Sequence, residues 1–162
     1  MATVYVSIGS NIERDKYIRS GIKALQELYG ALICSPVYES KSVGFEGDNF
    51  YNLVVGFETS EHYQKVDANL NKIEDANQRD RSSPKFSSRT LDLDLLLYDD
   101  LVLDSQELTL PRPEIYHNAF VLQPLADVAG NMTAPDAELT FAQLWAQFDH
   151  SKQKLWVVDL QI

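Results

Sequence analysis

A single cysteine, Cys34, occurs in the whole chain, which excludes an intramolecular disulfide and any multi-cysteine metal site. Its apolar neighbours Leu32, Ile33 and Val37 make it an expected buried strand thiol and not a nucleophile. No apolar run approaches the ~20 residues of a membrane span and no secretory signal opens the chain, so a cytoplasmic setting without a membrane partner is expected. Without a secretory route, the Asn131-Met132-Thr133 triplet says nothing about glycosylation. Positive charge is scarce as well. Fourteen Lys and Arg stand against 24 Asp and Glu, for a formal net charge of −10, which opposes non-specific attraction to nucleic acid. Any anionic substrate must then meet a local basic patch. With 162 residues, 44% hydrophobic content, no internal repeat and no linker, the chain is expected to form one globular domain over 1–162.

The scarce basic residues are concentrated. Arg79, Arg81, Lys85 and Arg89 place four of the fourteen within residues 79–89, in a Ser-rich stretch with one proline that reads as a mobile loop. It leads into Arg89-Thr90-Leu91-Asp92-Leu93-Asp94-Leu95-Leu96-Leu97-Tyr98. A strand turns successive side chains to opposite faces, so Leu91, Leu93, Leu95 and Leu97 are expected on one face and Asp92 and Asp94 together on the other. Such neighbours stand roughly 6–7 Å apart and repel when ionised unless water, a cation or an arginine lies between them. Mg2+ takes carboxylate oxygens of this kind, with substrate phosphates completing the shell. The plain alternative is a solvated polar face, although Asp is a poor strand former. A basic loop beside a carboxylate pair is what transfer from a polyphosphate needs, because charge develops on phosphate oxygens. The loop by itself could equally be a solvated charge run.

The remaining pattern is mixed. Thr3 to Ile8 reads as a strand ending at Gly9, and Ile18, Ile22, Leu25 and Leu28, with Gly21 on the same face, mark a helix ended by Gly30. Leu32 to Glu39 and Tyr51 to Glu58 read as strands flanking a loop over 40–50. Val66, Leu70, Ile73 and Asn77 mark a helix from about 62 to 78 with Asn71 and Glu74 near the edge of its buried stripe. Counting the Asp strand, the order is βαββαβ. It predicts an α+β fold with a ferredoxin-like core, helices packed on a mostly antiparallel sheet. The C-terminal additions are a short strand at 101–104, another near Thr109, helices around 115–128 and 139–148, and a last apolar stretch, Leu155 to Leu160.

Gly9-Ser10-Asn11 after the first strand, Arg79 ten residues before Arg89, the run Arg89-Thr90-Leu91-Asp92-Leu93-Asp94, and Leu110-Pro111 followed by Phe120-Val121-Leu122 together resemble the 6-hydroxymethyl-7,8-dihydropterin pyrophosphokinase family over nearly the whole chain. The resemblance implies transfer of the β,γ-pyrophosphoryl group of ATP to the pterin hydroxymethyl oxygen in folate biosynthesis, with release of AMP and two Mg2+ ions as cofactors. It implies Asp92 and Asp94 as the metal ligands and Arg79 and Arg89 as arginines that neutralise phosphate. For ATP it implies Asn71, Glu74, Arg81, Thr109 and Arg112. For the pterin it implies stacking aromatics at Phe50 and Phe120, a ring-reading amide at Asn52, and backbone groups near Gly9, Ser40 and Val43. A side-chain amide offers a donor and an acceptor, which suits the alternating edge of a pterin. Small-molecule substrates are the implied partners, with no nucleic acid and no obligate protein partner.

The chain departs from that family's pattern at several positions. Arg112 stands where the family shows histidine, which keeps positive charge, and Asn118 stands where an arginine is usual, which removes one. Ser87 replaces Gly or Ala, Phe86 a tryptophan, and Lys41 a proline. Three other readings follow from the residues. They are a diverged relative that binds nucleotide and pterin without turnover, an RNA-binding module with the same strand order, and a two-metal nuclease, which would need further carboxylates converging on the Asp pair.

Overall fold

Val4, Val6 and Ile8 alternate with Tyr5, Ser7 and Gly9 along a nine-residue strand, β1 (Ala2–Ser10), which therefore carries an apolar row on one face and a mixed row on the other. The computed structural model describes residues 1–42, 47–78, 88–151 and 153–162. After β1 come α1 (Arg14–Tyr29), β2 (Ile33–Cys34), β3 (Val37–Ser40), β4 (Phe50–Thr59), α2 (Tyr63–Ala76) and β5 (Asp92–Tyr98). With β2 and β3 as two halves of one strand, this is the βαββαβ order read from the sequence. The chain continues through β6 (Leu103–Asp104), β7 (Thr109–Leu110), a 3-10 turn at Pro113–Tyr116, α3 (Ala119–Ala129), α4 (Phe141–Gln147) and β8 (Leu155–Val158).

The sheet order is β5-β1-β4-β3-β8, with β2 also paired to β4 and every pairing antiparallel. Strand β1 lies inside it and β5 at one edge. On one face Ile18, Ile22 and Leu25 of α1 and Val66, Leu70 and Ile73 of α2 pack on Val4, Val6, Ile8, Leu93 and Leu95. Gly21 permits this approach, because a Cβ there would stand 3.1 Å from Leu91 Cδ1. On the other face Val121, Leu122 and Leu125 of α3 and Phe141 of α4 cover Val54, Leu96 and Leu97. The C-terminal additions thus seal the face that a bare βαββαβ sheet leaves open.

Five local expectations change. Leu97 does not share a face with Leu93 and Leu95: the β1–β5 register shifts between Tyr5 and Val6, which face Leu97 and Leu95, so Leu96 is an extra residue and Leu97 joins the α3 side. The expected strand from Leu32 to Glu39 is broken where Pro36 lacks an amide hydrogen and the Ser35 hydroxyl accepts the Val54 N–H at 2.9 Å. Cys34 is exposed, since β2 is a two-residue piece whose Ile33 is itself 61% exposed. Leu28 is also exposed, because Tyr17 and not Leu28 completes the buried stripe of α1. The helix expected at 115–128 divides into the 3-10 turn and α3, with His117 and Asn118 between them.

Leu95 is fully buried on the α1 and α2 side of β5. Leu95→Ala is expected to destabilise the protein by about 2–5 kcal/mol, read as a lower midpoint in urea with little change in slope.

Candidate active site

Register places the key side chains. Asp92 faces Gly9, Gly9 faces Asn52, and Asn52 faces Tyr38, so four strands contribute one row across the sheet. Adjacent strands are roughly 4.8 Å apart, which sets Asp92 about 10 Å from Asn52. The neighbouring rows add Asp94 opposite Ser7 opposite Val54, and Ser40 opposite Phe50. Val54 belongs to the cluster under α3, so the period of two puts Asp92, Asp94, Gly9, Asn52, Phe50 and Ser40 on that face. Phe120, half-buried on α3, packs against the same cluster. Asn52 Nδ2, Ser40 Oγ and Thr90 Oγ1 are buried and make no hydrogen bond among the described residues. A buried polar atom without a partner costs free energy that a ligand can recover. Gly9 is required here, because a Cβ would meet Asn52 Oδ1 at 2.7 Å. Tyr38 donates its hydroxyl to Asp127 on α3 and so pins that helix over the row.

The carboxylates are under electrostatic strain. Burial and then the neighbouring Asp92 push Asp94 up to about 7, with Glu74 and Glu114 adding to the rise and Arg112 opposing it. Its side chain nevertheless keeps 33% exposure, and Arg112 Nη2 lies 3.3 Å from Asp94 Oδ1. Arg112 also bonds Glu114 through Nε, and its backbone N–H donates to the Leu96 carbonyl at 3.0 Å. The extra residue at Leu96 therefore fixes the arginine whose guanidinium reaches Asp94. Glu74, 4% exposed, accepts the Leu93 N–H at 2.8 Å.

The other expected site residues fall into place unevenly. The Arg89 backbone is bound on both sides by Asn11, whose N–H donates to Arg89 O at 3.0 Å and whose Oδ1 accepts Arg89 N–H at 2.7 Å. Asn11 Nδ2 also donates to Asp48 O at 3.1 Å, which joins the segment after residue 47 to the start of the Asp strand. Thr109 is half-buried on β7, and Asn71 is exposed on α2. Arg79, Arg81 and Val43, like Ser87 and Phe86, lie outside the described residues. The periodicity missed a network around Glu39. Burial raises that carboxyl, but hydrogen bonds from Asn49 and Arg14 outweigh it and hold Glu39 below its ordinary value. Arg14 lies 3.0 Å from Glu39 Oε2 and 3.9 Å from the centre of the Tyr51 ring. Arg14, Glu39 and Asn49 border a cleft of about 760 Å3 that Asn11 also lines but the Asp pair does not. The one sequence signal for it was Arg14 at the start of an otherwise ordinary helix.

The profile described as 7,8-dihydro-6-hydroxymethylpterin-pyrophosphokinase matches residues 5–130. The chain belongs to this family. A 2-amino-4-hydroxy-6-hydroxymethyldihydropteridine pyrophosphokinase of Aquifex aeolicus is 36% identical over 138 residues, which cover 83% of this chain and 85% of that protein. One of the same name from Haemophilus influenzae is 31% identical over 160 residues, 96% of this chain and 99% of the other. Among solved structures, a wild-type HPPK-DHPS from Plasmodium falciparum superposes with a TM-score of 0.70 at 13% identity. That match covers 91% of this chain and 43% of the larger one, and at that identity it speaks for the fold alone. Family membership makes this pyrophosphokinase an enzyme of folate biosynthesis.

The strain at Asp94 has a measurable sign. An acid whose folded-state pKa is raised stabilises the fold fully below its ordinary value near 4 and loses that contribution as pH rises towards 7. Asp94→Asn in metal-free protein is therefore expected to melt like the parent near pH 4 and about 2–4 °C higher at pH 8, the shift that about 1 kcal/mol gives a domain of this size. Calorimetric scans of both proteins across that range check it.

Proposed function

We propose that this pyrophosphokinase transfers the β,γ-pyrophosphoryl group of ATP to the hydroxymethyl oxygen of 6-hydroxymethyl-7,8-dihydropterin, in the cytoplasm and with two Mg2+ ions. The observation that carries the reading is the row Asp92, Gly9, Asn52. It sets a paired carboxylate about 10 Å from a buried amide with an unused donor, on a face where Gly9, lacking a Cβ, makes room for the Asn52 side chain. A flat ring read by Asn52, and enclosed by Phe50 and Phe120, would direct its substituent along the row toward Asp92 and Asp94.

The residues suit the metal. Among the described residues no group of three or more His, Cys, Asp or Glu could hold an ion, and Mg2+ asks for less, one or two carboxylates with phosphate oxygens and water. A divalent cation would also relieve the repulsion that raises Asp94. Held by Asp92 and Asp94, it would supply charge neutralisation for the polyphosphate and acidify the hydroxymethyl group. The hydroxymethyl oxygen bonds to the β-phosphorus, the bond from that phosphorus to the α,β-bridging oxygen breaks, AMP departs and the hydroxyl proton passes to water. The protein's part is alignment and neutralisation. Arg89, held by Asn11, meets the phosphates together with Arg79 and Arg81, and Arg112, Thr109 and Asn71 complete the nucleotide side.

One observation favours a binding protein without turnover. Arg112 is paired with Asp94, and a guanidinium seated on that carboxylate competes with a cation. The assay that separates the two readings follows AMP release from ATP and the hydroxymethyl pterin. Turnover is expected, and Asp92→Ala and Asp94→Ala are each expected to lower it about a hundredfold or more with the circular dichroism spectrum unchanged. Saturable binding of both substrates without AMP would establish the alternative. Gly9→Ala is expected to weaken pterin binding about tenfold or more, measured by calorimetry, because its Cβ displaces the Asn52 amide.

A further inference from the structure

Among the described residues, strand β5 is an edge strand, hydrogen-bonded within the sheet to β1 alone. In such a strand alternate N–H groups turn outward with no backbone acceptor. Leu93 lies between the two aspartates, and its N–H is one of these outward groups. The acceptor is the Glu74 carboxylate at 2.8 Å, delivered from the last turn of α2. Glu74 is almost wholly buried, and its charge works against Asp94, which it helps to raise. A third carboxylate beside a repelling pair is unfavourable unless it supplies something else.

We infer that Glu74 is a positioning residue, which clamps the peptide between Asp92 and Asp94 and thereby fixes the spacing of the two metal-binding carboxylates, in place of the direct nucleotide contact expected at this position. The inference rests on the proposed function for what the spacing serves. Both aspartates hang from the stretch of backbone that the clamp holds. On its inner side Asp92 and Asp94 are paired with Gly9 and Ser7, and on its outer side Leu93 is bound by Glu74. With both edges tied, the strand cannot twist about its axis, and the two carboxylates keep one separation before a cation arrives. Residues that orient metal ligands from behind commonly govern affinity by 10- to 100-fold.

The clamp needs an acceptor and not a charge, so Glu74→Gln and Glu74→Leu separate its roles. Three properties are read in the full chain: amide exchange of Leu93 in metal-free protein, Mn2+ affinity by electron paramagnetic resonance with a non-hydrolysable ATP analogue, and kcat and KM for AMP release. Glu74→Gln is expected to keep Leu93 protected, Mn2+ affinity within about threefold of the parent and KM for ATP unchanged. Glu74→Leu is expected to lose Leu93 protection and to bind Mn2+ about tenfold or more weakly, with kcat falling more than KM for ATP rises. Impaired Mn2+ affinity in Glu74→Gln with Leu93 still protected would overturn the inference and assign the effect to charge. Normal Mn2+ affinity in Glu74→Leu with Leu93 unprotected would overturn it as well. If Glu74→Leu does not fold, the Gln variant alone decides. Should the parent protein itself bind no Mn2+ with the analogue and release no AMP, the proposed function fails, while Leu93 exchange still reports whether the clamp exists.

Discussion

The pairing of β1 with β4, continuous from Ala2 opposite Thr59 to Ser10 opposite Tyr51, is the constraint on which every other feature depends. It makes β1 the interior strand from which β5 is hung in a fixed alignment. Residues far apart in the chain, Gly9, Asn52 and Asp92, become neighbours only because that alignment holds. A slip of one residue would turn Val4, Val6 and Ile8 toward the α3 side and send the polar row into the apolar layer beneath α1 and α2. Burial of those three side chains therefore fixes the register, and the register fixes the site.

Charge is arranged against the grain of the whole molecule. A chain with a net charge of −10 gathers Asp92, Asp94, Glu74 and Glu114 about one half-buried position and meets them with Arg112. The free protein is consequently held in a state that is poor in itself and good for receiving a cation with its polyphosphate. A site that must attract a ligand cannot also be relaxed without it.

The fold was legible because its signals were local and strong. Alternation in β1, helical spacing at Ile18, Ile22 and Leu25, and Gly30 as a stop each survive in the structure. The Asp pair was legible for the same reason, since a period of two needs no knowledge of partners. What sequence could not carry were features set by a neighbouring element. Leu97 changed face because the β1–β5 register accommodates an extra residue in β5, and Cys34 lay exposed because β2 is a two-residue piece with both side chains exposed. Arg14 and Glu39 meet across two elements, and Arg14 at the start of its helix does not by itself name its partner. The Arg112 substitution was visible, but its pairing with Asp94 depends on where the Leu96 carbonyl points.

That extra residue makes strand length a variable separate from strand alignment. Val6 still faces Leu95 and Tyr5 still faces Leu97 whether or not Leu96 intervenes, so β5 can lose one residue there without moving either aspartate. A deletion at any position from Asp92 to Asp94 has no such freedom, because it re-indexes the carboxylates themselves, whereas loss of any one leucine from the Leu95-Leu96-Leu97 run leaves the same chain. Shortening β5 at Leu96 would instead withdraw the carbonyl that anchors the Arg112 amide, and so detach the nearest guanidinium from the acidic pair with both aspartates left in place. Insertions and deletions, which usually ruin a strand, would at this one position act as a dial on the charge that faces the site.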